Sequence, residues 1–458
     1  SDGNNVRHKV LMGLDVYRYS DVRRLVKQEH IECLLVSQGA IDEFRKDKAL
    51  QDMLIAEGVH IYMPRANEEW NPAVPDATLK EVSIEDLLPR DEISIDLKSV
   101  ADTLYGKCIL VTGSAGSIGS EIVKQLCQFN PRELVLIDSA ETPQHDIRLM
   151  MAKRYPHIKA ETIVTSITGQ LRMENIFRRF RPDYVFHAAA YKHVPMMENN
   201  PTESVENNIY GTKVLADMAV KYGVKKFVMI STDKAVNPTN VMGCSKRICE
   251  MYVQSLNNAV RSGKVEGCTQ FVTTRFGNVL GSNGSVIPLF KQQIKAGGPV
   301  TVTDPNIIRY FMLIPEACEL VLEAGVKGNG GEIFVFDMGN PVKIADLAQR
   351  MINLSGAKNV EIKYTGLRAG EKLYEEVLND KESTKPSFHE KIRIANVREY
   401  DYSEVERDIE ELIEVSKQYD DMLTVKKMKE IVPEFKSNNS VYEALDAALW
   451  LFSYISVD

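Results

Sequence analysis

From about Tyr105 onward, short, nearly continuous apolar runs alternate with longer stretches of mixed polarity. The runs are KCILVTG, ELVLIDS, AETIVTS, DYVFHAAA, KFVMISTD and QFVTTRFG. Apolar runs without polar alternation are what strands show when helices cover both faces of their sheet, so the pattern predicts a doubly wound parallel α/β sheet. The first hundred residues alternate on a shorter scale. KVLMGL (from Lys9), IECLLVSQ (from Ile31) and VHIYMPR (from Val59) read as strands. Helical periodicity fills Ser20 to Gln28, with Ser20 as the N-cap, and Ala40 to Glu57. A small parallel β-α-β-α-β module is expected there. Gly13 stands alone, so the module lacks a glycine-rich turn and reads as a packing or interaction unit. Pro72 and Pro75 in EEWNPAVPDATLK mark a linker or surface loop. Beyond Gly281 the pattern loosens, and the last sixty residues read as mostly helical.

Composition narrows the class. With 458 residues, 44% hydrophobic and 26% charged, the chain holds two or three ordinary globular domains. Fifty-six basic against 64 acidic residues give a net charge of −8, which argues against a protein held to nucleic acid by overall charge. The seven cysteines are dispersed and form no CxxC pair, so a reducing cytoplasm is expected, with neither a disulfide framework nor a metal site. No run approaches the roughly 18 apolar residues that cross a bilayer, and the N-terminal residues do not read as a signal peptide.

The strongest chemical signal is VTGSAGSIGSEIVKQL, where Gly113, Gly116 and Gly119 follow a strand and open a helix. Glycine there permits the tight turn, lets backbone approach a pyrophosphate, and allows helix and strand to pack closely. The helix N-terminus, with Ser114, Ser117 and Ile118 in the turn, then faces the phosphates. Turns collect glycine anyway, but a second-strand acid agrees: Asp138 ends ELVLID, 19 residues after Gly119. Its carboxylate is placed to accept both hydroxyls of an adenosine ribose, which favours NAD over NADP.

The spacing GxxGxxG resembles the extended short-chain dehydrogenase/reductase superfamily, from about Tyr105 to Glu376. The resemblance implies a Rossmann-type core over about 105–285 and a smaller substrate lobe over 286–458, after an N-terminal module (1–80) and a linker (81–104). HAAAYKHVPMME is similar to that superfamily's strand end, where Ala188, Ala189 and Ala190 pass beside the cofactor. Lys192 and His193 would then lie near nicotinamide and substrate, although a surface histidine is an equal reading of His193. Asn207 and Asn208 in VENNIYGT resemble the position that supports the active-site backbone.

ISTDKAVNPTNVMGCSKRICE carries the catalytic resemblance. The superfamily's Tyr-x-x-x-Lys puts both side chains on one helical face, one turn apart. Here Lys246 is in place, but Met242 stands at the tyrosine position. Thr232, Asp233 and Lys234 resemble the strand-end group of nucleotide-sugar 4,6-dehydratases. The whole segment resembles the large bacterial dehydratases that act on UDP-N-acetylglucosamine in polysaccharide and glycan synthesis. Downstream, RFGNVLGSNGSVIPLF offers Arg275, Asn278 and Ser285 as polar contacts, and TDPNIIRYFMLIPEA offers Arg309 to the diphosphate. GLRAGEKLYEE resembles the family's Arg-Pro-Gly-Glu-Lys turn, with Ala369 for proline, Arg368 toward the diphosphate and Glu371 toward the uridine ribose.

The resemblance implies oxidation at C4, loss of water across C5 and C6, and return of the stored hydride to C6, with NAD kept bound. Asp233 is then the acid for C6, and Lys234 the base for C5 with a pKa lowered by burial near Lys246. Thr232 is the relay that passes the C4 hydroxyl proton to Asp233 in place of tyrosine. Two rivals stay open, a UDP-sugar 4-epimerase and a non-catalytic NAD-binding scaffold. The resemblance also implies a homo-oligomer and a parent protein anchored at the cytoplasmic side of the bacterial inner membrane.

Overall fold

The computed structural model describes residues 9–11, 14–64, 79–87, 93, 95–376 and 383–446. Two compact units emerge. The first joins residues 1–92 to 284–306 and 342–365; the second joins 93–283 to 307–341 and 366–458.

In the first unit, Cys33–Leu35 pairs in parallel with His60–Pro64, which pairs antiparallel with Leu79–Glu81. The expected first strand does not join this sheet. KVLMGL instead folds back as a hairpin, Lys9–Leu11 against Leu14–Val16. The helix expected from Ala40 to Glu57 breaks into Ile41–Lys46 and Lys48–Ala56, because Asp47 leaves the helical conformation and its carboxylate accepts the Leu50 N–H at 2.9 Å. Phe44, Leu50, Leu54, Ile61 and Met63 form the core, and Leu354 from the helix Ile344–Leu354 packs against it. Arg350 on the same helix lies 2.9 Å from Asp52. The loop suggested by Pro72 and Pro75 and the lone Gly13 lie outside the described residues.

The expected boundaries shift accordingly. The stretch 81–104 is more than a linker: it ends a strand and carries two helices, Ile84–Leu87 and Leu97–Leu104. Val100 and Leu104 are fully buried in the second unit's core. Of the expected substrate lobe only 286–306 and 342–365 leave the dinucleotide unit, and with 284–285 they fold with the N-terminal module.

All six strands expected after Tyr105 form. In the second unit the order across the sheet is 383–386, 392–396, 333–336, 270–276, 226–232, 184–187, 108–112, 133–138, 160–164. The seven from Ile333–Phe336 to Ala160–Val164 are parallel; Ile392–Asn396 pairs antiparallel with Ile333–Phe336, and Ser383–Pro386 pairs antiparallel with Ile392–Asn396. Cys108–Thr112 and Tyr184–His187 are buried at every position, as two-sided cover requires. Helices Tyr402–Ser416 and Asp421–Ile431 confirm the helical reading of the C-terminal segment. Their Val405, Ile409, Leu412, Val425 and Met428 join the same apolar cluster as Met242 and Ile248. No helix among the described residues is long and apolar enough to cross a membrane.

Candidate active site

Strand Cys108–Thr112 leads into Gly113 with φ +66°, where a Cβ would stand 2.7 Å from the Ala189 nitrogen. At Gly119 a Cβ would lie 2.0 Å from the Gly113 carbonyl oxygen, so only glycine lets helix Ser117–Leu126 start this close to the strand. Gly116 is the N-cap residue, in extended conformation. Asp138 accepts the backbone N–H of Ala115 (3.0 Å) on one oxygen and that of Ala140 (2.9 Å) on the other. The second-strand acid thus fixes the glycine turn, and each oxygen keeps a lone pair for a hydroxyl. Backbone cradle, helix N-terminus and carboxylate together fit the pyrophosphate and ribose of NAD.

Not every residue expected there faces a ligand. The Ser114 side chain is buried and donates to Gln144 Oε1 at 2.9 Å, so it braces the turn. The Ser117 hydroxyl accepts the Asn283 N–H at 3.2 Å. Ile118 and Ala188 to Ala190 are half-buried around the cradle.

His187 went unremarked in the sequence and is the buried link beneath this cradle. Its Nδ1 lies 2.8 Å from the Thr112 hydroxyl and its Nε2 2.9 Å from that of Thr212. Thr212 donates its own hydrogen to the Asn208 carbonyl at 2.6 Å, so it accepts from Nε2–H, and Nδ1 accepts from Thr112. Burial, with Lys246 nearby, holds the imidazole far below its usual pKa and therefore neutral. Asn208 lies in the π-helical turn Val205–Tyr210 and is 1% exposed. Its amide clamps both backbone groups of Tyr191, accepting the N–H at 2.8 Å and donating to the carbonyl at 3.0 Å. It also donates to Ser245 at 3.0 Å, while Asn207 donates to Asn208 at 3.0 Å. Asn208 is thus the backbone support that the resemblance implied. Lys192 and His193 follow Tyr191 at the surface, and desolvation holds both below their usual pKa.

The strand Lys226–Thr232 ends at the charged group. Thr232 donates to Asp233 Oδ1 at 2.8 Å, and Lys234 Nζ donates to the same oxygen at 3.0 Å and to Asn278 Oδ1 at 3.2 Å. Two glycines make room for this. A Cβ on Gly277 would stand 2.8 Å from Asp233 Oδ2, and one on Gly243 would stand 2.1 Å from the Lys234 carbonyl oxygen. The carboxylate of Glu375, overlooked in the sequence, lies 3.5 Å from Lys234 and 3.7 Å from Arg309. Burial pulls the Lys234 pKa down, but Asp233 and Glu375 outweigh it and hold the ammonium above its usual value. The expectation of a lowered Lys234 pKa is therefore corrected: two carboxylates face it. Lys246 does have a lowered pKa, from burial. Its ammonium makes no hydrogen bond or ion pair with any described residue.

The 366–376 segment lies over this strand end. Gly370 accepts hydrogen bonds from the side chains of Thr239 and Asn240, both at 3.0 Å. Lys372 donates to the Val236 carbonyl at 3.0 Å, and Asn237 donates to Glu376 at 3.2 Å. Arg309 donates to the carbonyls of Ile308, Lys372 and Leu373, so its guanidinium clamps this segment and does not stand open to a diphosphate. Glu371 lies 3.2 Å from exposed Arg368 and 3.5 Å from Arg309. Arg275, read as a polar contact, is instead fully buried against Glu250. Met242 is 4% exposed and packs in the apolar cluster. Ser285 stands at the N-cap position of helix Val286–Lys295 in the other unit, where its hydroxyl makes no capping hydrogen bond.

A family model described as polysaccharide biosynthesis protein matches residues 109–397. The chain belongs to that family. Among relatives of this family member, the capsular polysaccharide biosynthesis protein CapD of Staphylococcus aureus is 44% identical over 417 residues, 90% of this chain and 68% of that protein. A UDP-N-acetylglucosamine 4,6-dehydratase (inverting) of Campylobacter jejuni is 34% identical over 279 residues, 60% of this chain and 79% of its own. A UDP-glucose 4-epimerase of Rickettsia canadensis reaches the same 34%, over 61% of this chain and 80% of its own. The solved structure of Pen from Bacillus thuringiensis is 33% identical and superposes with a TM-score of 0.59, covering 64% of this chain and 87% of that one.

Proposed function

We propose that this family member removes water from a UDP-sugar, UDP-N-acetylglucosamine by preference, giving a UDP-4-keto-6-deoxy-sugar for bacterial polysaccharide or glycan synthesis. The reading rests on one arrangement: Asp233 and Lys234, ion-paired at 3.0 Å at the strand end that follows the dinucleotide cradle. The similarity to a named dehydratase supports it. An epimerase, supported equally by identity, has no use for an acid and an amine held beside each other. NAD, when bound, supplies the oxidation at C4 and the matching reduction at C6.

The side chains handle the protons. Thr232, already donating to Asp233 at 2.8 Å, relays the C4 hydroxyl proton to that carboxylate. Asp233, now an acid, gives it to the C6 oxygen, which leaves as water. Lys234 takes the C5 proton that the C4 ketone has acidified. Lys246 holds the nicotinamide ribose, and Asp138 the adenosine ribose. Arg368 and Glu371 serve the nucleotide end, Glu371 after releasing Arg368. A membrane anchor in the parent protein and self-association belong to the same proposal.

Turnover in D₂O tests it. UDP-N-acetylglucosamine should yield a 6-deoxy-4-keto product with solvent deuterium at C5, read by mass spectrometry and NMR. A C4 epimer would replace the proposal with the epimerase, and bound NAD without turnover would leave a scaffold.

A further inference from the structure

Glu198 ends the short helix Val194–Glu198 and is 5% exposed. Among the described residues no lysine, arginine or histidine pairs with its carboxylate. A buried charge needs hydrogen bonds in place of water, and here they come from two directions. Oε1 accepts the backbone N–H of Val241 at 2.7 Å, and Oε2 accepts the Ser440 hydroxyl at 2.6 Å. Val241 opens helix Val241–Arg261. Glu198 therefore satisfies one of the N–H groups that a helix start leaves without a partner, and sets a negative charge at the positive end of the helix dipole.

That first turn governs both lysines of the proposed chemistry. A Cβ on Gly243 would stand 2.1 Å from the Lys234 carbonyl oxygen, and Lys246 follows three residues later on the same helix. The turn is also tied to the 366–371 segment. Asn240, the N-cap residue, accepts the Gly243 N–H at 2.7 Å and donates to the Gly370 carbonyl at 3.0 Å. Asn438 closes the ring from the other side: its carbonyl accepts the Gly370 N–H at 2.6 Å, and its side chain donates to the Glu371 carbonyl at 2.9 Å. Two residues further on, Ser440 returns the path to Glu198.

We propose that Glu198 is a positioning residue, the anchor that locks the helix start carrying Lys246 to the turn carrying Arg368 and Glu371. It acts through Lys246 and Lys234, by holding the helix start in place and by fixing the 438–442 segment that grips Gly370. The inference rests on the roles given to these residues above.

Three variants of the full chain separate the links. Glu198→Ala removes both contacts, Ser440→Ala removes the second alone, and Glu198→Gln can keep both, its oxygen accepting from Val241 and its amide donating to Ser440. Amide hydrogen exchange, read by peptide mass spectrometry, needs neither sugar nor cofactor. In Glu198→Ala, peptides covering 240–246 and 366–372 should both exchange roughly tenfold faster, with Glu198→Gln close to the parent. Ser440→Ala should loosen 366–372 and leave 240–246 protected. NAD affinity by calorimetry should fall about tenfold in Glu198→Ala and recover in Glu198→Gln. On a Lys246→Ala background the same change should cost little more, because the loss runs through Lys246. Additive losses, an unchanged 366–372 peptide, or faster exchange in every peptide alike, Glu133–Asp138 included, would each overturn the proposal. If Lys246→Ala alone binds NAD as the parent does, the reading of Lys246 falls, while the exchange data still decide whether Glu198 ties the two turns together.

Discussion

Behind the strand end, buried Glu250 joins three elements in one network. Its carboxylate accepts from Arg275 at 2.8 and 2.6 Å, from Ser231 at 2.7 Å and from Arg247 at 3.2 Å, and neither Glu250 nor Arg275 has exposed surface. Glu250→Gln keeps shape and a hydrogen-bond acceptor but removes the buried charge that Arg275 meets at 2.6 Å. A buried guanidinium does not shed its proton, so the loss resembles breaking a buried ion pair, about 3–5 kcal/mol. At about 2–4 °C per kcal/mol for a domain of this size, the melting midpoint should fall by roughly 6–20 °C, followed by far-UV circular dichroism. The pH dependence has a definite sign. Burial opposes the charge on Glu250, but Arg275, Arg247 and the Ser231 hydroxyl prevail and hold its pKa below the usual glutamate value. That stabilisation is complete above the usual glutamate range and is lost as pH falls through the lowered folded-state value, so parent and variant should converge in acid. Glu250→Met with Arg275→Met, which removes both charges, should recover much of the loss. A Glu250→Gln midpoint within about 2 °C of the parent at pH 7 would refute the reasoning, since a charge that costs so little to orphan is not dry.

Other expectations follow from single contacts. Gly119→Ala puts a methyl 2.0 Å from the Gly113 carbonyl, so strand and helix must separate and the purified protein should carry no NAD, measured by absorbance after acid release. Asp138→Ala removes the acceptor of two backbone N–H groups and the carboxylate proposed to meet the ribose; NAD affinity by calorimetry should fall roughly tenfold to a hundredfold, charge-assisted bonds contributing about 1.5–3 kcal/mol. Asn208→Ala strands both backbone groups of Tyr191 at about 1–3 kcal/mol each, and should lower the melting midpoint and kcat together while leaving NAD bound.

Much of this architecture was legible because two-sided burial leaves a plain mark. Every strand expected from KCILVTG to QFVTTRFG formed; the central ones have no solvent face to encode, and only the edge strand Ala160–Val164 is half-exposed. The glycine turn was readable for a steric reason: a Cβ at Gly113 or Gly119 would collide with backbone. What stayed hidden was contact over distance. Nothing around Arg275 distinguishes a guanidinium that meets a ligand from one that neutralises Glu250 on a neighbouring helix. Arg309 hides its role likewise, because its partners are main-chain carbonyls. The lowered pKa expected for Lys234 required knowing that Glu375, 141 residues later, lies 3.5 Å away. The N-terminal unit misled for a local reason, as Lys9–Leu11 pairs with its near neighbour Leu14–Val16 rather than with the three-stranded sheet.

Met242 connects these observations. A tyrosine at that helix position would hold a phenol one turn before Lys246 and would have to titrate; the thioether there packs in an apolar cluster with Ile248 and Met428. On the proposed reading, proton handling has left the helix for Thr232, Asp233 and Lys234 on the strand end. Lys246 remains, with a pKa lowered by burial and no phenol to acidify, so the proposal leaves it only the nicotinamide ribose to hold. A Met242→Tyr variant separates this arrangement from a merely damaged one. If the strand-end group has replaced the phenol, restoring it gains nothing, and crowding the buried cluster lowers stability by about 1–3 kcal/mol. If instead the chain is an enzyme weakened by the loss of tyrosine, the same substitution raises kcat, and the assignment of proton transfer to Thr232 and Asp233 fails.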